Sequence, residues 1–292
     1  MELRKFLLIL TLAIILLLAV AIWFYPASQD FRVDNPFWNG AEAFAAQFEA
    51  SSLSSLSDLP ATPEGTALIV IPYLDFTEAE LDKLKDYVLK GGTLLILDDY
   101  GYGNKILEYF GLSQRFSGAP LLDPLFNYKN KQFPKVMDFT PEIEGVEGIL
   151  LNHASSLSGV SEEEVLAWSS QFSFLDLDNN SAWDEGEPMG PLPVAAHIKL
   201  SEGNIVLVAD PSILINSMDM EDNYRFIKKL IEIENPNPVV FIDQSHLPGA
   251  ALDEAKGVLA TVQANLRTPL GTIGLIAVIL ILILRPVWRR RM

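Results

Sequence analysis

The chain has no cysteine among its 292 residues, which excludes disulfides, thiolate catalysis, iron–sulfur clusters and zinc–thiolate sites. It has only three histidines, His153, His197 and His246, scattered without the spacing of a zinc site. Positive charge is also scarce in the middle. Residues 26–267 carry 15 Lys and Arg against 37 Asp and Glu. Nucleic acid and anionic lipid are thereby excluded as partners of that stretch, because like charges repel and no basic stripe exists to release phosphate counterions. Internal repeats and low-complexity tracts are absent, and long apolar runs occur only at the two ends.

Those ends read as membrane anchors. Phe6–Tyr25 is twenty residues without a charge, enough to span a hydrocarbon core of about 30 Å at about 1.5 Å per residue. Arg4 and Lys5 precede it and Trp23, Phe24 and Tyr25 close it, which places residues 1–5 in the cytoplasm and the aromatic end at the outer interface. The competing reading is a cleaved signal peptide with Ala19 and Ala21 at the cleavage site, although the run is long and ends in bulky aromatics. At the other end, residues 268–288 form a second apolar stretch, and Arg285 with Arg289–Arg291 marks its cytoplasmic side, so residues 289–292 are a basic tail. The expected topology is a two-pass cell-membrane protein with both termini cytoplasmic and residues 26–267 extracytoplasmic.

Between the anchors, short β-rich runs alternate with helical patterns, the pattern of an α/β domain with a mostly parallel sheet. Ala67–Ile71 and Thr93–Leu97 read as buried strands. Between them, Thr77 and Glu80 form a capping box, and Leu81, Leu84, Tyr87 and Val88 share one helical face until Gly91–Gly92. A strand–helix–strand unit of this length favours a parallel, right-handed crossover. Asn104–Phe110 is a helix. Gly148–Leu151, Val165–Trp168 and Val194–Leu200 are strands that extend the sheet. Asn204–Ala209 and Val239–Ile242 are buried strands, and Glu221–Glu232 and Ala251–Leu266 are helices. Ser51–Leu59 reads as a Ser-rich loop, and 118–141 as mostly loop.

The strongest chemical motif starts at Phe174. Asp176, Asp178, Asn180, Ala182, Asp184 and Glu187 occupy positions 1, 3, 5, 7, 9 and 12 of a calcium loop. Ca²⁺ takes six to eight hard oxygens at about 2.3–2.6 Å, and this spacing offers side-chain oxygens, the backbone carbonyl of Ala182 and a bidentate Glu187. Ser181 stands where glycine normally permits positive φ, at a cost of about 1 kcal/mol. The flanks are extended rather than helical, giving an EF-hand-like loop on a sheet. An acidic surface turn is the bland alternative. Asn179-Asn180-Ser181 is formally a glycosylation sequon.

Asp75, Asp98, Asp99, Asp210 and Asp243 fall at or just after the carboxyl ends of predicted strands, with His246 nearby. In open α/β sheets that edge binds ligands, so the set is a possible second site; helix capping is the simpler account. Asp243, Ser245 and His246 contain the residue types of a hydrolytic triad, but such close neighbours rarely align as a relay.

The Asn35–Gly40 segment (Asn-Pro-Phe-Trp-Asn-Gly), the helix–Gly91-Gly92-Thr93–strand passage, the Val208–Ser212 turn and Phe241–His246 before a closing apolar run resemble an uncharacterised prokaryotic family, the membrane-anchored domain-of-unknown-function family 4350. The resemblance covers nearly the whole chain. It implies a class I glutamine-amidotransferase-like, flavodoxin-like fold with helices on both faces of the sheet, and company with MoxR-type AAA ATPases and envelope-associated membrane proteins. Glutaminase activity is not implied, because its nucleophile is a cysteine. Where related families read Asp-Glu before the histidine, this chain has Gln244. Two functions stand open: a non-enzymatic accessory or binding subunit carrying structural Ca²⁺, and a metal-dependent hydrolase using the strand-edge carboxylates and His246.

Overall fold

Period-two alternation inside continuous apolar runs builds the core. A computed structural model describes residues 3–249, 251–277 and 280. In strands β2 (Thr66–Val70) and β3 (Thr93–Leu97) every residue is buried. Ala67, Ile69, Leu95 and Leu97 face one apolar cluster, whereas Leu68, Val70, Leu94 and Ile96 face another. A strand buried on both faces needs helices on both sides. Helices α2 (Glu42–Gln47) and α5 (Asn223–Ile231) supply Phe44, Phe226 and Leu230 to the first cluster. Helices α3 (Glu78–Leu89) and α4 (Asn104–Phe110) supply Leu84, Val88 and Ile106 to the second.

The remaining strands of the main sheet are β1 (Ser51–Leu53), β4 (Asp138–Phe139), β5 (Val165–Trp168), β6 (Pro193–Leu200), β7 (Gly203–Val208) and β8 (Val239–Asp243). Their order is β1-β8-β2-β3-β7-β6-β5-β4. The first five are parallel and the last three antiparallel. The chain moves outward from β2 to β3 and then, after β7, returns to place β8 on the other side of β2. That reversal makes the carboxyl edge of these strands the place to look for a site.

The capping box at Thr77 forms in full: its backbone N–H donates to Glu80 at 2.9 Å while its hydroxyl accepts from the Glu80 N–H. At the far end of α3, Gly91 adopts φ +95° and turns the chain into β3. The expected strand at 148–151 lies elsewhere: Ile149–Leu150 pairs with Lys135–Val136 in a separate two-residue ladder. Ser51–Leu53, expected as loop, is an edge strand pairing in parallel with Phe241–Asp243. Only Leu53 of the three is buried, so the segment lacks an apolar signature, and its partner's free edge dictates the pairing.

The chain divides into two units, residues 28–248 and residues 1–27 with 249–292. In the latter, α1 (Leu3–Phe24) exposes its apolar surface along its whole length and is the one helix among the described residues long and apolar enough to cross a membrane. Helix α6 (Ala251–Arg267) ends at a bend at Thr268, after which 269–277 is again helical. The predicted second span, 268–288, lies partly outside the described residues, and the arginine-rich tail wholly so.

Candidate functional site

Three places gather the chemistry. In the acidic loop, Phe174–Leu175 pairs with Leu121–Leu122, and Leu175 N–H donates to the Pro188 carbonyl at 3.0 Å, closing the loop as the tip of a hairpin. Asp176 is buried; its two oxygens accept from the N–H groups of Asn180 at 3.0 Å and Ser181 at 2.9 Å. Glu187 folds back to accept from Leu177 N–H at 2.6 Å and Asp184 N–H at 3.0 Å. Ser181 sits at φ +65°. Oxygens of Asp176, Asp178 and Glu187 lie within 4.8 Å of one another, and they are the only such carboxylate or histidine group among the described residues. Asn180 turns its amide N–H₂ to Asp178 at 3.0 Å and to Asp184, while its Oδ1 accepts from Ala182 N–H at 2.7 Å.

Among the described residues, the strand-edge acids and His246 form no group of three within 4.8 Å; only Asp243 and His246 are in contact. Asp98 is a buried cap: its carboxylate accepts from the N–H groups of Tyr100 at 3.0 Å, Gly101 at 3.1 Å and Gly103 at 2.7 Å, fixing the start of α4. Burial nevertheless raises its pKa against those bonds. Asp210 accepts from Ser212 N–H at 2.8 Å and Asn152 N–H at 2.7 Å, and full burial lifts it to about 8. Asp243 Oδ2 and His246 Nδ1 are 2.6 Å apart, and Ser245 Oγ lies 2.6 Å from Asp243 Oδ1 and 3.1 Å from the same Nδ1. The triad residue types therefore touch, yet serine and aspartate share one ring nitrogen, and Nε2 faces Glu80 at 3.8 Å. A serine relay needs them on opposite nitrogens. The His246 ring stacks on Phe76 at 3.7 Å. Gln244 ties down the N-terminal segment, accepting from Val33 N–H at 3.1 Å and donating to the Phe31 carbonyl at 3.4 Å. A carboxylate could not make the second bond.

Asp99 behaves differently from its neighbour. It faces a cavity of about 640 Å³ at the carboxyl edge of the sheet, with Tyr73 after β2, Tyr100 after β3 and Ser212 after β7. Burial, then the adjacent Asp98, raise Asp99 to about 7. Its Oδ1 is shielded from solvent with no hydrogen-bond partner. The cavity also takes Asp30, Trp38 and Asn39 from the N-terminal segment, and Tyr128, Lys129 and His153 from the long insertion between α4 and β5. Gly40 completes that segment because a Cβ there would sit 1.9 Å from the Asn35 carbonyl oxygen. The histidine lining this cavity is His153; His246 lies beside Asp243 instead. Trp38, Tyr73 and His153 escape sequence reasoning, although the Asn35–Gly40 segment already stood out as a motif.

The family model described as Domain of unknown function (DUF4350) matches residues 33–231. No curated protein matches the chain. Among solved structures, the mmIFT52 N-terminal domain is 17% identical, with 60% of this chain and 78% of that one covered and a TM-score of 0.47. A putative ThuA-like protein from Bacteroides uniformis is 13% identical over 63% and 79%, with a TM-score of 0.34. A β-galactosidase from Bacillus circulans is 14% identical over 57% of this chain, at a TM-score of 0.36; the match spans only 22% of that enzyme.

Proposed function

We propose that this chain, which belongs to the Domain of unknown function (DUF4350) family, is a membrane-tethered, extracytoplasmic binding subunit whose Asp176–Glu187 loop holds a structural Ca²⁺. The carrying observation is the approach of oxygens from Asp176, Asp178 and Glu187, positions 1, 3 and 12 of the loop, to within 4.8 Å of one another. Two oxygens bound to one ion at about 2.4 Å can be no farther apart than about 4.8 Å, so this trio fits the ion's first shell. Without a cation, three carboxylates at that separation repel one another. Rotating the Asn180 amide would present its oxygen to the ion and release Asp184 for ligation, directly or through water. Ala182 would add its carbonyl. Ser181 already holds the left-handed turn the loop requires. Bound this way, the ion cross-links the hairpin tip.

A binding role rather than a catalytic one is supported by how the alternative hydrolase set is used. Asp98 and Asp210 are engaged as caps, and Asp243 is committed to Ser245 and His246. The tether is α1, with a second span over 268–288, both termini inside and the acidic domain outside, where millimolar calcium makes a modest site useful. Its partners are other membrane or envelope proteins. The test is calorimetry on the full chain in detergent. One site should appear with a dissociation constant of about 10⁻⁴–10⁻³ M, and Glu187→Gln should weaken it tenfold or more. At ten times the dissociation constant, Ca²⁺ should add about 1.4 kcal/mol to stability. No heat and no change in melting temperature in about 10 mM Ca²⁺ would refute the reading.

A further inference from the structure

The sheet-edge cavity is independent of the calcium reading and carries its own chemistry. Its volume of about 640 Å³ suits a small molecule. At its inner wall Asp99 Oδ1 is sealed from solvent without a donor. A buried acceptor left unsatisfied is costly, and more so when charged, so a turn of the half-buried Asp99 side chain that brings Oδ1 to a donor in the cavity is favoured. The walls beside it are aromatic. The Tyr73 ring lies between Phe31 at 5.6 Å and Tyr100 at 6.1 Å, and Tyr100 packs on Tyr102 at 5.6 Å. Trp38 is 69% exposed and free to cover an occupant. Ring faces are electronegative and attract cations within about 6 Å. Phe31, Lys129 and His153, all lining this cavity, hold left-handed backbones at φ 61°, 69° and 55°. Such backbones are strained for residues other than glycine, and strain of this kind recurs at binding sites.

The charges select the ligand. Asp30 adds a second carboxylate to the lining, and Asp98 lies directly behind Asp99. The basic groups facing the cavity are His153, whose ring meets Phe133 edge-on at 5.7 Å, and Lys129, exposed with its ammonium 4.6 Å from the Tyr128 ring. A neutral hydroxyl would satisfy Asp99 Oδ1 but leave its charge buried. An anion would face Asp99 and Asp30 together. A cation with N–H donors answers both the charge and the missing hydrogen bond, and exposed Lys129 disfavours long polycations.

We propose that this cavity binds a small organic amine, its ammonium donating to the Asp99 carboxylate beside the Tyr73 and Tyr100 rings while Trp38 covers its carbon chain. The test uses three isosteric probes, n-butylammonium, n-butanol and butyrate, titrated into the full chain in detergent at pH 8 and followed by saturation-transfer NMR. A chelator is present, so the result is read separately from the calcium titration. Butylammonium should bind in the millimolar range, about −4 kcal/mol for so small a ligand, and the other two should not. Asp99→Asn should weaken it at least tenfold and Trp38→Ala several-fold, the second variant lying on the exposed wall where folding is safe. Equal binding of butanol or butyrate, no binding of the amine, or butylammonium affinity unchanged in a folded Asp99→Asn or Trp38→Ala protein would each overturn the proposal.

Discussion

Replacing Asp99 by asparagine should make the protein more stable, and by an amount that depends on pH. The carboxyl titrates near 7 in the folded chain because burial and Asp98 disfavour its charge, against an ordinary value of 3.8. Well below pH 4 the group is protonated in both states and contributes nothing. As pH rises toward 7 the unfolded chain releases the proton while the folded chain keeps it, so stability falls across that window and levels off above it. A difference of roughly three pKa units corresponds to about 4 kcal/mol at most; because part of the group reaches solvent, about 2 kcal/mol is the expected loss. Asp99→Asn removes the loss. Urea unfolding in detergent should therefore show wild type and variant within about 0.5 kcal/mol at pH 4 and separated by about 2 kcal/mol at pH 8, or roughly 4–8 °C in melting temperature. Asp210 titrates with the same sign and is itself raised by the Asp99 charge, so its own contribution shrinks in the variant. A gap that does not change with pH, or a variant less stable at pH 8, would show that Asp99 is not the strained acid described above.

Two packing predictions are independent of any ligand. Gly203→Ala would place a Cβ 2.1 Å from the Val88 carbonyl oxygen and 2.5 Å from that of Gly92, both backbone atoms that cannot step aside, so unfolding measurements should show a loss of about 3 kcal/mol or more. Asn223→Ala should cost about 3 kcal/mol by the same assay. That buried amide donates to the Leu150 and Met218 carbonyls, each at 2.9 Å, and accepts from Leu150 N–H at 2.8 Å, joining α5 to the insertion.

The β2–α3–β3 unit was legible because every signal in it is local: two apolar runs, a capping box and a glycine stop. The insertion between α4 and β5 was not, since its two-residue ladders pair strands by tertiary proximity and leave no period to read. The approach of Asp176, Asp178 and Glu187 was legible for the same reason as α3, all three lying within twelve residues of sequence. The cavity was half legible. Its position at the carboxyl edge follows from strand order, and Asp99 was among the acids expected there. Which of Asp98 and Asp99 faces the cavity depends on strand alternation, which turns adjacent side chains to opposite faces. Asp98 points to the α4 side, where a Cβ on Gly103 would lie 3.2 Å from its Oδ2, and Asp99 points to the other. Trp38 and His153 come from distant segments, so no spacing could have joined them to it.

The segment 123–133 reaches both chemical centres. Lys131 donates to the Ser181 carbonyl in the acidic loop, Asp123 accepts from Ser170 at 2.5 Å at the root of the hairpin, and Tyr128 and Lys129 line the cavity. Under the two proposals made above, any coupling carried by this segment is reciprocal: the factor by which an ion at Glu187 changes amine affinity at Asp99 equals the factor by which the amine changes ion affinity. One short segment thus gives two distant chemistries a common mechanical support, so a change that displaces it at either end is felt at the other.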